Sequence, residues 1–192
     1  MANKNAPFGL VAEQRIGSAE WRASLQMYRI PAWTTNAVYV NDPIVIIPGA
    51  ASNAGIESVT LSTDGGPFTG VVAGFEGFCA ANTAVQSGGG FYGAPVGMSY
   101  RPAATTQDYY VLVAGSDNEF RVQSNGALAI SDIGSTFELV QATGNQISGS
   151  AYTVSNVATT GGQVQVLRAV NNPSNDPTSA YAQYVVKMAN VI

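Results

Sequence analysis

Short apolar runs separated by turn residues are the dominant pattern along the chain. Residues 109–113 form a continuous apolar run of the kind found in buried strands, and residues 119–123 alternate between polar and apolar side chains. Turn chemistry stands between such runs, as at residues 64–67 and 124–126, because glycine adopts positive φ at little cost. About ten short strands separated in this way predict an all-β fold, a single-domain β-sandwich or barrel of the jelly-roll kind. The predicted strands are residues 37–40, 44–47, 56–62, 71–75, 109–113, 119–123, 137–140, 152–154, 163–167 and 184–188.

The beginning of the chain lacks this strand pattern. Ser18 is a candidate helix N-cap, and apolar residues follow it at spacings of three and four, which indicates a short helix over residues 18–28. Pro31 ends that pattern. We therefore expect an extended N-terminal arm with a short helix over residues 1–30, which becomes ordered on binding a partner, and a β-sandwich or barrel domain over residues 31–192.

Three further features concern the organisation of the chain. Residues 82–101 combine a flexible Ser-Gly-Gly-Gly stretch with several bulky side chains, which is typical of a long surface loop. Residues 180–187 could form a helix or a strand, and their tyrosines and valines favour the strand. No internal repeat of fixed period and no domain linker is evident, so we expect one domain.

The composition is unusually poor in charge. Charged residues make up 10% of the 192 residues, against about 25% in an average soluble domain. The apolar fraction of 46% nevertheless allows a real core, which argues against disorder. The net charge is -4 and no basic stripe is present, so nucleic acid is not an expected partner. A polar surface with few charges suits contact with protein better than the steering of a charged ligand.

Residues for common catalytic and metal chemistry are scarce. The chain has no histidine and one cysteine, Cys79, which argues against a catalytic triad, a zinc site and an internal disulfide. The twelve carboxylates could in principle supply a glycosidase pair, but most of the aspartates stand beside turn residues, where they commonly bond the local backbone. We therefore expect no enzyme activity, no catalytic or metal residues and no cofactor. No signal peptide or membrane span is apparent, and no membrane partner is expected.

Several short motifs resemble those of a known family. The opening Met-Ala-Asn-Lys-Asn-Ala-Pro-Phe-Gly-Leu is similar to the start of tailed-phage head cement proteins, also called decoration or auxiliary capsid proteins. Later motifs with the same resemblance are residues 28–30, 38–44, 70–77, 120–123 and 168–176.

This resemblance implies a structural virion protein that binds the outer surface of a tailed-phage capsid and stabilises contacts between capsomers. Its implied partners are the major capsid protein and further copies of itself, as a homodimer or homotrimer. Its implied location is the capsid surface, after synthesis in the host cytoplasm. Proteins of this kind often have jelly-roll or related β folds, in agreement with the strand pattern.

Five side chains are predicted to contact the capsid or another protomer. Pro7, Phe8 and Leu10 lie in the expected arm, from which a segment can add to the sheet edge of a neighbour. Phe91 and Tyr92 lie in the expected surface loop. The competing interpretation for all five is that they fold back onto the core of their own chain.

Three other functions remain open from the sequence. A carbohydrate- or receptor-binding virion module would use exposed aromatic side chains such as Trp33, Tyr92 or Tyr100 against sugar rings. A tail or connector component would differ from a cement protein in its copy number. An enzyme would need carboxylates that converge in one cleft.

Overall fold

The computed structural model describes residues 3–16, 25–51, 55–76 and 100–189. Strands make up 44% and helix 2%, so the predicted all-β architecture is confirmed. Antiparallel sheets pack together around a common core. One turn of 3-10 helix, Ile130–Asp132, is the helical element of the described residues.

The first large sheet has five strands in the spatial order β2-β8-β6-β4-β5. Their bounds are β2 Leu25–Ile30, β4 Pro43–Ile46, β5 Val59–Leu61, β6 Gly70–Glu76 and β8 Tyr109–Ala114. A small sheet beside it pairs β3 Val38–Tyr39 with β7 Tyr100–Arg101.

The second large sheet has six strands in the spatial order β1-β9-β13-β12-β10-β11. All of its strand pairs are antiparallel. Their bounds are β1 Val11–Arg15, β9 Asn118–Gln123, β10 Thr136–Val140, β11 Thr153–Ala158, β12 Val164–Ala169 and β13 Gln183–Met188.

The first sheet curls until its two edge strands meet, and the second curls until its edge strand β11 meets β9, the strand next to its other edge. In the first sheet, Arg29 of β2 forms a parallel bridge with Ser58, directly before β5. In the second, Ser124, directly after β9, forms a parallel bridge with Val154 of β11. We call β2, β4, β5, β6 and β8 the first barrel and β9 to β13 the second barrel. Strand β1 lies outside the second barrel, on the free edge of β9.

The two barrels have the same topology. Within each barrel we count the strands from one to five along the chain. Their spatial order is 1-5-4-2-3, and strand 3 closes the barrel against strand 1. Leu25 begins β2 and Asn118 begins β9, 93 residues later; the same interval separates the starts of β4 and β10. The chain therefore contains an internal structural repeat, which the sequence analysis did not detect.

Strand register repeats as well. In the first barrel Pro43 faces Val71, and at the matching position of the second Thr136 faces Gln165. The turn before β6 recurs before β12 with the same Thr-x-Gly-Gly sequence, at residues 63–66 and 159–162. In both turns the fourth residue donates its N–H to the carbonyl of the first, at 3.0 and 3.1 Å. The third residue of each turn is a glycine with positive φ.

One hydrophobic cluster spans both barrels. Ile30 and Val111 enter it from the first barrel, and Phe120, Phe137 and Val186 enter it from the second. Successive side chains of a strand point to opposite faces of the sheet. These side chains lie on the faces that point into the core. Burial of this shared cluster holds the two barrels together.

A buried glutamine adds polar contacts between the barrels. The Nε2 of Gln163 donates to the hydroxyl of Ser62 at 3.2 Å and to the carbonyl of Gly66. Its Oε1 accepts from the N–H of Gly65 at 3.2 Å and from that of Leu139 at 2.9 Å. Gln163 thus joins the turn before β6 to strand β10. A buried side chain with this many partners is costly to remove, since each backbone group would lose its hydrogen bond.

The N-terminal segment is part of the fold. Strand β1 pairs with β9, and Asn3 exchanges hydrogen bonds with the backbone of Asp176 at 2.8 and 2.9 Å. The Nε2 of Gln123 donates to the carbonyl of Lys4, and its Oε1 accepts from the N–H of Ala6. Residues 3–16 therefore pack against their own chain, whereas the sequence predicted an extended arm.

The expected boundary between arm and domain also needs correction. Residues 25–30 form β2, and all six pair with β8 in the first barrel. A boundary at residue 30 would remove one strand from that barrel. The expected helix is wrong for the same residues, because pairing with β8 decides their structure over the weak helical spacing. The rest of the helical window, residues 18–24, lies outside the described residues.

Candidate docking turn and ligand pocket

The β10–β11 loop, residues 141–152, carries a turn stabilised by its own hydrogen bonds. Asn145 and Gly149 exchange both backbone hydrogen bonds, at 3.1 and 2.8 Å. The side-chain Oδ1 of Asn145 accepts from the N–H groups of Ile147 and Ser148, each at 2.8 Å. We call residues 145–149 the docking turn. Its conformation is fixed by contacts within the turn, in the manner of an Asx-turn.

Ile147 stands at the tip of the docking turn and is 99% exposed. Other large apolar side chains are exposed in the described residues, among them Trp33, Ile130 and Val157, but all to a smaller fraction. Burying an isoleucine side chain against a partner is worth roughly 1.5–3 kcal/mol. Because the turn is already ordered, little of that free energy is lost in fixing the backbone.

A cavity of about 540 Å³ lies beside the same loop, and we call it the inter-barrel pocket. Asp42 and Asp64 line it from the first barrel, while residues 141–144 and Tyr152 line it from the second. Residues 35–37, before β3, complete the wall. Its volume lies within the range of roughly 300–1,000 Å³ that is usual for small-molecule sites.

Asp42 is the more buried of the two carboxyl groups of the pocket, at 2% exposed. Its Oδ2 accepts from the N–H of Tyr39 at 2.8 Å. Burial raises the pKa of its carboxyl to about 6, although hydrogen bonds from the Ser150 hydroxyl and the Tyr39 backbone act in the opposite direction. Burial prevails because a carboxylate in a low-dielectric site loses its hydration.

The aromatic side chains of the pocket are held in place. The Tyr152 hydroxyl donates to the carbonyl of Ser62 at 2.7 Å, and burial raises the pKa of this phenol. The ring of Tyr39 stacks on that of Tyr100 with centroids 5.7 Å apart. These contacts hold the two rings in place, whereas the side chains of Thr35, Asn36, Gln141 and Thr143 on the other walls are exposed.

Several polar side chains of the pocket make no hydrogen bond to another described residue. They are the hydroxyls of Thr35 and Thr143 and the amides of Asn36 and Gln141. Among the described residues, no lysine or arginine lines the cavity. The site therefore offers neutral donors and acceptors beside two carboxyl groups, and it offers no cation to hold an anionic ligand.

The predicted contact residues of the N-terminus are only partly on the surface. Leu10 is fully buried in the core of its own chain, so the expectation that it contacts a partner is corrected. Pro7 and Phe8 are half-buried, and the Arg121 guanidinium lies 5.4 Å from the centre of the Phe8 ring. Phe91 and Tyr92 lie outside the described residues.

Neither Ile147 nor the inter-barrel pocket was predicted from the sequence. For Ile147 a signal was present, since it is an isolated large apolar residue in a run of Gly, Asn, Gln and Ser. The pocket gave no such signal, because its residues come from distant parts of the chain and meet only where the barrels pack.

Two other kinds of site are absent from the described part of the chain. It holds no group of three or more histidine, cysteine, aspartate or glutamate side chains that could bind a metal ion. Within the same ranges, no helix has the length and apolar character needed to cross a membrane.

Comparison with known proteins gives no match: no family model, no curated protein and no solved structure is similar to this chain.

Proposed function

We propose that this protein is a structural component of a tailed-phage particle that binds the outer surface of the capsid and stabilises contacts between capsomers. The observation that carries the proposal is the docking turn, which presents Ile147 on an ordered backbone. The resemblance of the first ten residues to cement proteins supports the same function.

The character of the chain favours a protein partner. Few charged residues are present, so long-range electrostatic steering contributes little to its association. Affinity must then come from shape, hydrogen bonds and a small number of apolar contacts, and Ile147 is the most exposed large apolar side chain of the described residues. The proposed partners are the major capsid protein and further copies of this chain, and many equivalent contacts on one shell would add their strength.

Binding to capsids tests the proposal directly. Capsids prepared from particles that lack this protein are mixed with the purified chain and sedimented. We expect saturable co-sedimentation, and an affinity at least about tenfold lower for Ile147→Ser, because about 1.4 kcal/mol corresponds to a factor of ten. Gln146→Ser, in the same exposed turn, is the matched control and keeps the affinity of the unchanged chain.

The outcomes separate two claims. Absence of co-sedimentation for the unchanged chain contradicts capsid binding. Equal binding by Ile147→Ser and Gln146→Ser retains capsid binding and removes the docking turn from the interface.

A further inference from the structure

We infer that the inter-barrel pocket binds a neutral, hydroxyl-rich ligand, a saccharide unit. The inference goes beyond capsid binding and does not depend on it. It rests on the charge of the pocket, on its unused hydrogen-bonding groups and on the way its walls are fixed.

The charge of the pocket excludes one class of ligand. Among the residues that the structure describes, Asp42 and Asp64 are its ionisable side chains apart from the tyrosines, and no lysine or arginine lines it. A phosphate, sulfate or carboxylate in this cavity would lie beside two carboxyl groups and would lose its hydration without direct contact to a cationic side chain. The occupant therefore carries no negative charge.

The buried carboxyl group also disfavours a strongly cationic ligand. Asp42 is surrounded by protein, and both the Tyr39 backbone and the Ser150 hydroxyl already donate to it. Asp64 is exposed to water and accepts from the Gln141 N–H at 2.7 Å. Neither group is an unpaired buried anion that would seek a cation, so the pocket favours hydroxyl groups over an ammonium group.

The unused polar groups match a polyol. Thr35 and Thr143 supply hydroxyls, which donate and accept, and Asn36 and Gln141 supply amides with both functions. Sugar hydroxyls need such paired donors and acceptors. Leu61 and the alanines between these groups offer small apolar surface for the C–H faces of a sugar ring.

A buried arginine fixes the wall that carries Thr35 and Asn36. Arg101 is fully buried, and its guanidinium donates to the carbonyls of Thr34 and Asn36, both at 2.8 Å. On the opposite side, a Cβ on Gly144 would lie 2.9 Å from the Tyr39 ring and 2.4 Å from the Gly149 carbonyl, so loop and ring are in close contact. Walls fixed in this way reduce the entropy lost on ligand binding.

Titration of the purified chain with defined sugars tests the inference. The probes are glucose, galactose, mannose, N-acetylglucosamine and neutral oligosaccharides from bacterial surfaces, with binding followed by calorimetry and by NMR shifts. We expect saturable binding of at least one neutral sugar. Sialic acid and glucuronic acid should bind at least about tenfold more weakly than that sugar, because the pocket offers them no cation.

Two variants connect binding with the pocket. Ala142→Trp fills the cavity and should abolish binding, whereas Ala158→Trp, on the exposed part of β11, should not. Thr143→Val removes one hydroxyl with little change of shape and should weaken binding about tenfold, while Thr160→Val, in an exposed turn, leaves it unchanged. Thr143→Val keeps the test valid if the tryptophan variant does not fold.

The inference is overturned if no neutral sugar of the panel binds saturably, if acidic sugars bind as tightly as neutral ones, or if both pocket variants bind like the unchanged chain. Because these titrations use the free chain, failure here leaves capsid binding untouched, and failure to co-sediment with capsids leaves the sugar site untouched.

Discussion

Asn41 of the first barrel and Gly134 of the second occupy the same structural position, 93 residues apart. Both have positive φ, 73° and 96°, and both stand two residues before the second strand of their barrel. Asn41 donates its N–H to the carbonyl of Val72 at 2.8 Å, and Gly134 donates to that of Val166 at 2.8 Å. The backbone of the repeat is thus preserved where the side chains differ, since asparagine is among the non-glycine residues that adopt this conformation most readily.

This equivalence predicts the effect of replacing Gly134. A Cβ at residue 134 has open space around it, so the only cost of Gly134→Ala is the strain of placing an alanine at positive φ. We expect the free energy of unfolding to fall by about 1 kcal/mol in urea titrations. Gly115→Ala, whose glycine lies outside the positive-φ region, should change it by less; equal losses in both would contradict the assignment.

The N-terminal segment gives a second prediction, at Gly9. Its φ is +74°, and an added Cβ would lie 2.3 Å from the Ser150 hydroxyl and 2.4 Å from the Asn41 carbonyl. Gly9→Ala should therefore cost at least about 2 kcal/mol, through steric conflict added to the cost of positive φ. Gly49→Ala is the control, with φ +73° and free space around the new Cβ.

Amide hydrogen exchange of β1 shows whether the N-terminal segment stays packed on the fold in the Gly9→Ala variant. Faster exchange at residues 11–15 in Gly9→Ala, and unchanged exchange in Gly49→Ala, is the expected result. Rapid exchange of β1 in the unchanged chain would contradict the docked N-terminus.

Asp42 predicts a specific dependence of stability on pH. Burial raises the pKa of its carboxyl to about 6 in the fold, above the ordinary value of 3.8, so the folded chain binds the proton more tightly than the unfolded chain. The stabilisation is complete below pH ~4 and is lost as the pH rises towards ~6, by on the order of 3 kcal/mol. Asp42→Asn lacks this titration.

Unfolding free energies of the unchanged chain and Asp42→Asn, measured between pH 3.5 and 7.5, test this sign. Their difference should shift in favour of the asparagine variant as the pH rises, and level off above the folded pKa. A difference that shifts in the opposite direction would show that burial of Asp42 is offset by its hydrogen bonds.

Gln163 provides a test of the coupling between the barrels. Gln163→Leu keeps the side chain large but leaves the N–H groups of Gly65 and Leu139 without their partner. We expect a loss of about 2–4 kcal/mol, because several buried or partly buried polar groups lose hydrogen bonds at once. Gln165→Leu is the control, since this half-exposed glutamine binds only the Gly134 carbonyl, at 2.6 Å.

The number of unfolding transitions adds to the Gln163 test. The unchanged chain should unfold in one transition because its core is shared, as tests of two-state behaviour would show. Two separate transitions in the unchanged chain would contradict a common core.

Local sequence information was sufficient for much of the fold. The alternation at residues 119–123 and the apolar run at residues 109–113 identify β9 and β8 as strands. Burial does not follow the two patterns, because the polar Glu119 and Gln123 of β9 are buried as well, whereas Tyr109 and Leu112 of β8 are only partly buried. The turns were identifiable from Gly, Asp and Asn. The strand chosen over the helix near the C-terminus, now β13, is confirmed.

The remaining features depend on contacts between distant residues. β2 carries a weak helical spacing and becomes a strand because six residues pair with β8. The repeat leaves almost no sequence trace beyond Thr-x-Gly-Gly, because barrel topology constrains polarity and turn geometry more than residue identity. The pocket exists only once two barrels meet, and the exposure of Ile147 depends on a turn closed by Asn145.

The central claim is that this protein covers the capsid of a phage particle, and its copy number tests that claim most directly. Quantitative mass spectrometry of purified particles gives the ratio of this chain to the major capsid protein. We predict a ratio near one or another simple fraction, as repeated binding over a symmetric shell requires. A handful of copies per particle, or complete absence, would contradict the account.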